Sequence, residues 1–326
     1  GMKAFTKTAV PDWVRLAANQ SRVSFGLALV ELAERDQNVI AVAADTLDFV
    51  DLRLFQERFP DRLVDVGIAE QNAMGVASGL ATTGLRPYVC GYAPFITARS
   101  AEQLRNDVAY ANQRVVIGAG AGGISLSVAG GTHHAVEDLA LVRNLPNMTV
   151  IVPADAHQAW HATLATASID GPVYIRLGGR TDEVPVTPID AEFKLGQAET
   201  VREGDDVVII ACGCLVAEAV KASEALAKRG VHARVLNVHT LKPLDRRAIV
   251  EAAVESGRVV TAEEHRLAGG LGGAVAELLA LEHPTPMRMI GMPDEFAVVG
   301  PTLQVRERYG MSAKAIVDAC DQLLEQ

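Results

Sequence analysis

Short, almost uniformly apolar runs alternate with helical patterns along most of this chain. The runs at 39–45, 114–120 and 206–213 hold few polar residues, which is typical of strands covered on both faces of a sheet. Between such runs, apolar residues recur at helical spacing, as at 25–32. Because strands that alternate with helices form βαβ units, the sequence predicts an α/β fold with two doubly wound, mainly parallel-sheet domains.

The alternation is interrupted at 178–199. This stretch carries prolines and little periodicity, as linkers do, and the alternation resumes after it. We therefore expect a first domain at 1–185, a linker at 186–199 and a smaller second domain at 200–326.

The charge balance narrows the classes of partner. The chain of 326 residues has 30 Lys and Arg against 40 Asp and Glu, a formal net charge of −10, and no basic run stands out. Nucleic acid and anionic membrane surfaces are therefore not expected partners. No apolar run approaches the roughly 18 residues that span a bilayer.

The cysteines predict a reducing environment. There are four, too few for a disulfide framework. Cys212 and Cys214 end a predicted strand, but no second cysteine pair or nearby histidine pair completes a zinc site, so we expect no metal site in this chain. The start GMKAF resembles a scar of tag removal, and we expect no signal peptide. A cytoplasmic location fits these features.

Glu70 stands in an apolar setting at the start of a predicted helix. Its neighbours in the segment 65–80 include Ile68, Met74 and Leu80. A glutamate carried into a core costs several kcal/mol unless it is paired or protonated. Glu70 is therefore either an ordinary acid at a helix start or a carboxyl with a chemical role, and the local residues leave both open.

Two aromatic residues flank Pro94 just before a predicted helix. Tyr92 and Phe95 stand out because aromatic residues make up only 5% of the chain. Such rings could stack on a planar ligand. They could equally be core aromatics, and the local pattern alone favours the core.

Two adjacent histidines, His133 and His134, follow a glycine-rich loop. Adjacent side chains in an extended segment point apart, so the pair is poorly arranged to bind one metal ion. Histidine is the natural proton-transfer group near neutral pH, and one of the two could face a cleft. The alternative is a pair of loop histidines that hydrogen-bond to the backbone.

Several long segments together resemble a known family. They are DVGIAEQNAMGVASGLATTG, GYAPFITARSAEQLRN, GGTHHAVEDLALVRNLPNMTVIVPAD and GPVYIRLG, with TLKPLD and TAEEHRLAGGLGGAVAELL further on. They resemble the C-terminal half of transketolases, and most closely the short subunit of split, two-gene transketolase-like enzymes. The resemblance covers nearly the whole chain and implies a pyrimidine-binding fold for 1–185 and a transketolase C-terminal-domain fold for 200–326.

The resemblance implies a role for each matched residue. The family uses thiamine diphosphate, and Glu70 matches the glutamate that hydrogen-bonds a ring nitrogen of the aminopyrimidine and so activates the cofactor. Tyr92 and Phe95 match the aromatics that stack on that ring, and His133 matches a histidine that faces the substrate. The implied activity is transfer of a two-carbon ketol unit from a ketose to an aldose, with Glu70 and His133 as catalytic residues.

The resemblance also implies a second subunit. The family holds diphosphate and magnesium through a G-D-G motif followed at a distance by Asn, and this chain has no such motif. We therefore expect an N-terminal transketolase-like partner that carries the motif and supplies the magnesium. We also expect a homodimer of this chain alone and a heterotetramer with the partner.

Three departures from the family pattern concern the substrate. Val128 and Ala129 stand where an acidic pair is usual, His134 replaces a glutamine, and Arg180 follows YIRL only after two glycines. We expect His133, His134 and Arg180 on the substrate side. The identity of the sugar, and whether it is phosphorylated, stays open.

Other functions stay open on the same residues. One is a different reaction on this scaffold, in the β subunit of a 2-oxoacid dehydrogenase or half of a deoxyxylulose-phosphate-synthase-like enzyme. The segments EQNAMG and LPNMTVIVPAD favour transketolase over both. Another is a non-catalytic regulatory or scaffold subunit.

Overall fold

The computed structural model describes residues 20–179 and 183–325. Its strands are β1 (Val39–Ala43), β2 (Leu63–Asp65), β3 (Arg86–Tyr92), β4 (Val116–Gly120), β5 (Thr149–Ile151), β6 (Val173–Arg176), β7 (Glu199–Arg202), β8 (Val207–Ala211), β9 (Ala233–Asn237), β10 (Thr240–Lys242), β11 (Val259–Arg266) and β12 (Met287–Met292).

The helices are α1 (Ser21–Arg35), α2 (Arg53–Arg58), α3 (Glu70–Thr82), α4 (Ala101–Gln103), α5 (Asp138–Arg143), α6 (Ala156–Ala165), α7 (Leu215–Ala227), α8 (Arg246–Ser256), α9 (Leu271–Glu282), α10 (Thr302–Arg308) and α11 (Ala313–Leu324). The π-helical segments Phe95–Arg99 and Leu104–Tyr110 flank α4. In the described parts of the chain, no helix combines the length and the apolar composition needed to cross a membrane.

The strands form two mainly parallel sheets. The first sheet has the order β10-β5-β6-β4-β3-β1-β2, and the second has the order β12-β11-β8-β9-β7. Only the edge strands β10 and β7 run antiparallel to their neighbours among the described strands. Helices lie between consecutive parallel strands, as crossover connections require. The predicted α/β class with two mainly parallel sheets is confirmed.

The central strands are covered on both faces, as their apolar composition predicts. Strands β1, β4 and β8 are buried along their whole length. Two glycines let aromatic rings approach β4 closely. A Cβ at Gly118 would lie 2.3 Å from Cζ of Phe25, and a Cβ at Gly120 would lie 2.6 Å from Cε1 of Phe49.

Strand β10 lies in the first sheet, although it falls within the range assigned to the second domain. Thr240 pairs with Ile151 of β5 in antiparallel register. The chain therefore returns from the second sheet to the edge of the first, and the two sheets interlock. The domain boundaries near residues 185 and 199 stay a prediction.

A buried ion pair joins the two sheets. Arg176, the last residue of β6, donates from Nε and Nη2 to the two carboxylate oxygens of Asp138, each at 2.9 Å. Its Nη1 donates to the carbonyl oxygen of Glu264 in β11 at 3.0 Å, and its Nη2 donates to the carbonyl oxygen of Ala135 at 2.6 Å. The Tyr174 hydroxyl donates to Asp138 at 2.7 Å. The side chains of Arg176 and Asp138 are only 6% and 1% exposed.

Asp138→Asn should destabilise the fold strongly. The substitution removes the hydrogen-bonded carboxylate partner of a buried guanidinium, and breaking such a pair costs about 3–5 kcal/mol. We expect the free energy of unfolding, measured in urea, to fall by that amount. The matched control is Asp321→Asn, because Asp321 pairs with Arg229 at the surface and an exposed pair contributes at most about 1 kcal/mol. Equal losses from the two substitutions would contradict this assignment.

Glu263 is a buried acid of strand β11 whose carboxyl lies at the start of helix α9. Its carboxyl oxygens accept hydrogen bonds from the backbone N–H groups of Leu271 at 2.7 Å and Gly272 at 2.8 Å. Burial raises the pKa of Glu263 to about 7, and these two N–H donors oppose that rise. The folded chain therefore binds a proton at Glu263 at a higher pH than the unfolded chain, whose carboxyl titrates near 4.5.

This shift predicts a pH dependence with a definite sign. As pH falls from about 7 to 4.5, the folded state gains the Glu263 proton before the unfolded state, so stability from this group rises. One pKa unit corresponds to about 1.4 kcal/mol, so the gain is on the order of 3 kcal/mol. The difference in unfolding free energy between wild type and Glu263→Gln should change by this amount over that window. A difference that is independent of pH would rule out the raised pKa.

Candidate active site

The residues expected to bind a planar ring come from the carboxyl ends of strands in the first sheet. Tyr92 ends β3, and Phe95 begins the π-helical segment Phe95–Arg99. The chain passes from β1 to β2 on one side and then returns to β3 on the other side of β1. In open α/β sheets, ligands bind in the crevice that such a reversal creates.

Four rings meet beyond the end of β3, and we call Tyr92, Phe95, His133 and Phe49 the aromatic cluster. The Tyr92 ring centroid lies 6.0 Å from that of Phe95 and 5.9 Å from that of His133. The Phe95 and His133 centroids are 5.1 Å apart, and all three pairs meet edge to face. Phe49, from the segment after β1, stacks on Tyr92 at 4.1 Å. Tyr92 and Phe95 are only half-buried, so they border a surface instead of filling the core.

Glu70 is the first residue of helix α3 and lies near this cluster. Gly67, with φ at +71°, lets the chain turn in the left-handed region between β2 and α3. The Glu70 side chain is 3% exposed, whereas its neighbour Ile68 is 76% exposed. The carboxyl therefore points inward, although it stands next to exposed residues at the start of the helix.

Arg99 connects Glu70 to the aromatic cluster. Its Nη1 donates to Oε2 of Glu70 at 2.6 Å, and its Cζ lies 4.4 Å from the ring centroid of Phe95. The burial expected for Glu70 is confirmed. The purely apolar surroundings expected for it are wrong, because the Arg99 guanidinium faces the carboxyl. The sequence places Arg99 on the helix after Phe95 but indicates no partner for it.

The two histidines have different surroundings. His133 is half-buried within the aromatic cluster, and its Nδ1 lies 3.0 Å from the Thr132 hydroxyl. His134 is 6% exposed, with Nε2 at 3.4 Å from the carbonyl oxygen of Ser127. Of the two, His133 is the one that joins the rings of Tyr92 and Phe95.

The loop that carries both histidines is pinned at its base. Gly123 and Ala135 exchange backbone hydrogen bonds of 2.9 and 2.8 Å. The Ala135 carbonyl oxygen also accepts the bond from Arg176. The buried ion pair therefore holds the segment that presents His133. Arg180, expected on the substrate side, lies outside the described residues.

The described side chains that meet at this edge of the first sheet suit a flat heterocycle. Glu70 supplies a buried carboxyl, and Phe95 supplies a ring beside it. Within residues 20–179 and 183–325, no three His, Cys, Asp or Glu side chains come together to hold a metal ion. Phe49 and Arg99 also contribute to this site, but no motif in the sequence around either residue predicts that role.

Comparison with known proteins agrees with this geometry. Residues 18–180 match the family "Transketolase, pyrimidine binding domain", and residues 196–316 match "Transketolase, C-terminal domain". The chain belongs to the transketolase family. Apart from strand β10, its two sheets correspond to the pyrimidine-binding and C-terminal parts of that family.

Similar proteins narrow this assignment to split subunits. The chain is 41% identical to the 6-deoxy-6-sulfo-D-fructose transketolase subunit SqwH of Clostridium sp. (strain MSTE9), over 97% of this chain and 98% of that one. It is 40% identical to one of the subunits of the apulose-4-phosphate transketolase of Phocaeicola vulgatus, over 93% and 96% of the two chains. A solved structure described as a split gene transketolase, inactive beta4 tetramer, matches with a TM-score of 0.87 and 41% identity over 94% of this chain and 99% of that one. This chain is a subunit of the split-transketolase type.

Proposed function

We propose that this chain is the ring-binding, catalytic half of a thiamine diphosphate-dependent transketolase-like enzyme. The reaction transfers a two-carbon ketol unit from a ketose to an aldose. The observation that carries the proposal is the buried Glu70 carboxyl beside the aromatic cluster, at the carboxyl ends of the strands in a family-matched pyrimidine-binding region. Residues 1–185 bind the ring, 186–199 form the linker, and 200–326 stabilise the assembly.

The residues present fit one half of the cofactor. Glu70 would hydrogen-bond a ring nitrogen of the aminopyrimidine, and Tyr92 and Phe95 would pack against the ring. A carboxyl at 3% exposure is shielded from water, which strengthens its hydrogen bond to a ligand. When bound, thiamine diphosphate supplies a carbon nucleophile for the ketose carbonyl.

Glu70 and His133 divide the proton transfers between them. With the cofactor bound, the Glu70 carboxyl would share a proton with the ring nitrogen. His133 faces the substrate and moves a proton at a sugar oxygen through Nε2, because its Nδ1 lies against Thr132. His134 and Arg180 are the further substrate-side candidates.

The other half of the site comes from a second chain. The diphosphate and its magnesium would bind a partner with the G-D-G motif, since this sequence contains no such motif. We propose a homodimer of this chain alone and a heterotetramer with the partner. The self-assembled, inactive state named for the similar solved structure supports the need for that partner.

The substrates are a ketose donor and an aldose acceptor, and they can differ in whether they carry a phosphate group. One similar protein is named for a sulfonated, non-phosphorylated sugar and the other for a sugar phosphate. Val128 and Ala129 supply no acidic group to recognise sugar hydroxyls. Both phosphorylated and unphosphorylated sugars therefore belong in a substrate screen.

Glu70→Gln should abolish most turnover in the complex with the partner subunit. Proton transfer by a positioned side chain contributes about 10²–10⁴-fold to rate, so we expect kcat to fall at least 100-fold. The measurement is ketol transfer between a panel of ketose donors and aldose acceptors. The matched control is Glu102→Gln, because Glu102 is exposed and bonds only Gln103 and Asn106 among the described side chains.

The same assay separates the alternatives. Unchanged turnover in Glu70→Gln would favour the regulatory or scaffold subunit. Decarboxylation of a 2-oxoacid without ketol transfer would favour the dehydrogenase β subunit or the synthase-like enzyme.

The isolated chain should bind thiamine diphosphate weakly, because the diphosphate half of the site is absent. A calorimetric titration with magnesium should show little binding alone and clear binding with the partner. Tight binding by this chain alone would contradict the division of the site.

A further inference from the structure

Arg99 contacts the same two groups that the ring site offers to a ligand. Its Nη1 donates to Glu70 at 2.6 Å, and its guanidinium carbon lies 4.4 Å from the Phe95 ring centroid. A single planar group thus bonds the buried carboxyl and packs on the aromatic ring. Both contacts are assigned to the aminopyrimidine in the proposed function.

The chemistry of the two groups is alike. A guanidinium is planar and delocalised, stacks on aromatic faces and donates N–H bonds to carboxylates. An aminopyrimidine is also planar, stacks on aromatic faces and forms a hydrogen bond to a carboxyl. Glu70 and Phe95 can therefore contact either group, and a ring that takes both contacts has to replace the guanidinium that makes them here.

We propose that Arg99 is an internal ligand of the ring site, which the aminopyrimidine must displace. This inference rests on the proposed function of Glu70 and Phe95. With the ring absent, Arg99 satisfies a carboxylate that would otherwise be buried and unpaired, which is costly. With the ring bound, Arg99 turns outward.

The exposure of Arg99 makes this exchange feasible. Its side chain is 46% exposed, so the guanidinium reaches water by turning about its own stem. Arg176, at 6% exposure and with four hydrogen bonds, has no such route.

Arg99→Met tests the exchange by equilibrium binding. Methionine keeps an unbranched, flexible stem but removes the charge and the N–H donors. Calorimetric titration of thiamine diphosphate with magnesium into the complex with the partner should show about tenfold tighter binding than wild type. The ring no longer has to break the charge-assisted hydrogen bond between Arg99 and Glu70, and one such bond corresponds to about a factor of ten in affinity. Arg105→Met is the matched control, because Arg105 is exposed on the same helical stretch and bonds only Asn106 among the described side chains. It should leave the affinity unchanged.

A double-mutant cycle identifies the partner of Arg99. If the guanidinium competes for Glu70, the gain from Arg99→Met should fall below about twofold in a Glu70→Gln background. An undiminished gain would show that Arg99 acts through another group and would overturn the proposal.

Chemical replacement gives a second readout that does not depend on the stability of Arg99→Met. Arg99→Ala leaves space at the ring site, so millimolar ethylguanidinium should weaken thiamine diphosphate binding to this variant severalfold. Wild type, whose site already holds a guanidinium, should not respond. Equal responses of the two proteins would contradict the shared site.

The outcomes separate this inference from the proposed function. If wild type binds thiamine diphosphate and Arg99→Met binds it no more tightly, or less tightly, the proposal of an internal ligand is overturned and the proposed function stands. Arg99 is then a positioning residue for Glu70. Absence of thiamine diphosphate binding by wild type and by every Arg99 variant overturns both.

Discussion

The buried pair between Arg176 and Asp138 is the contact on which the arrangement of the chain depends. One guanidinium holds helix α5 through Asp138, the base of the histidine loop through Ala135, and the second sheet through Glu264. None of these three parts can move away without leaving a buried charge or donor unsatisfied. The position of His133 within the aromatic cluster therefore depends on an ion pair that takes no part in the proposed reaction.

The ion pair between Arg99 and Glu70 differs from the pair between Arg176 and Asp138 in how far its members are exposed to water. Arg176 and Asp138 are both buried, whereas Arg99 is 46% exposed and Glu70 is 3% exposed. A pair with both members buried is permanent, because neither charge can return to water cheaply. A pair with one exposed member can be replaced, provided that a new group satisfies the buried carboxyl. The first pair builds the scaffold, and the second leaves its site open to exchange.

The sequence predicts most of the fold and the identity of the ring-binding candidates, but not how they are joined. Apolar strand runs require coverage on both faces, so the α/β class follows from local composition. Strand β10 could not be assigned to the first sheet, because its three residues carry no information about which edge they meet. Likewise, the sequence shows Arg99 and Arg105 as two arginines on one predicted helix. Only the structure distinguishes them, because it places Arg99 against Glu70 and Phe95. Glu70 is predicted to be buried, but its charged partner comes from a different element.

Because β10 returns to the first sheet, the two halves of the chain complete one another. A fragment that stops near residue 185 would lack the strand that covers β5 and would expose the backbone N–H and C=O groups along that edge. A bare edge of this kind is a template for pairing with other chains. The C-terminal half thus serves as a built-in cover for the N-terminal half, and cutting the gene at its linker would yield a piece prone to aggregate.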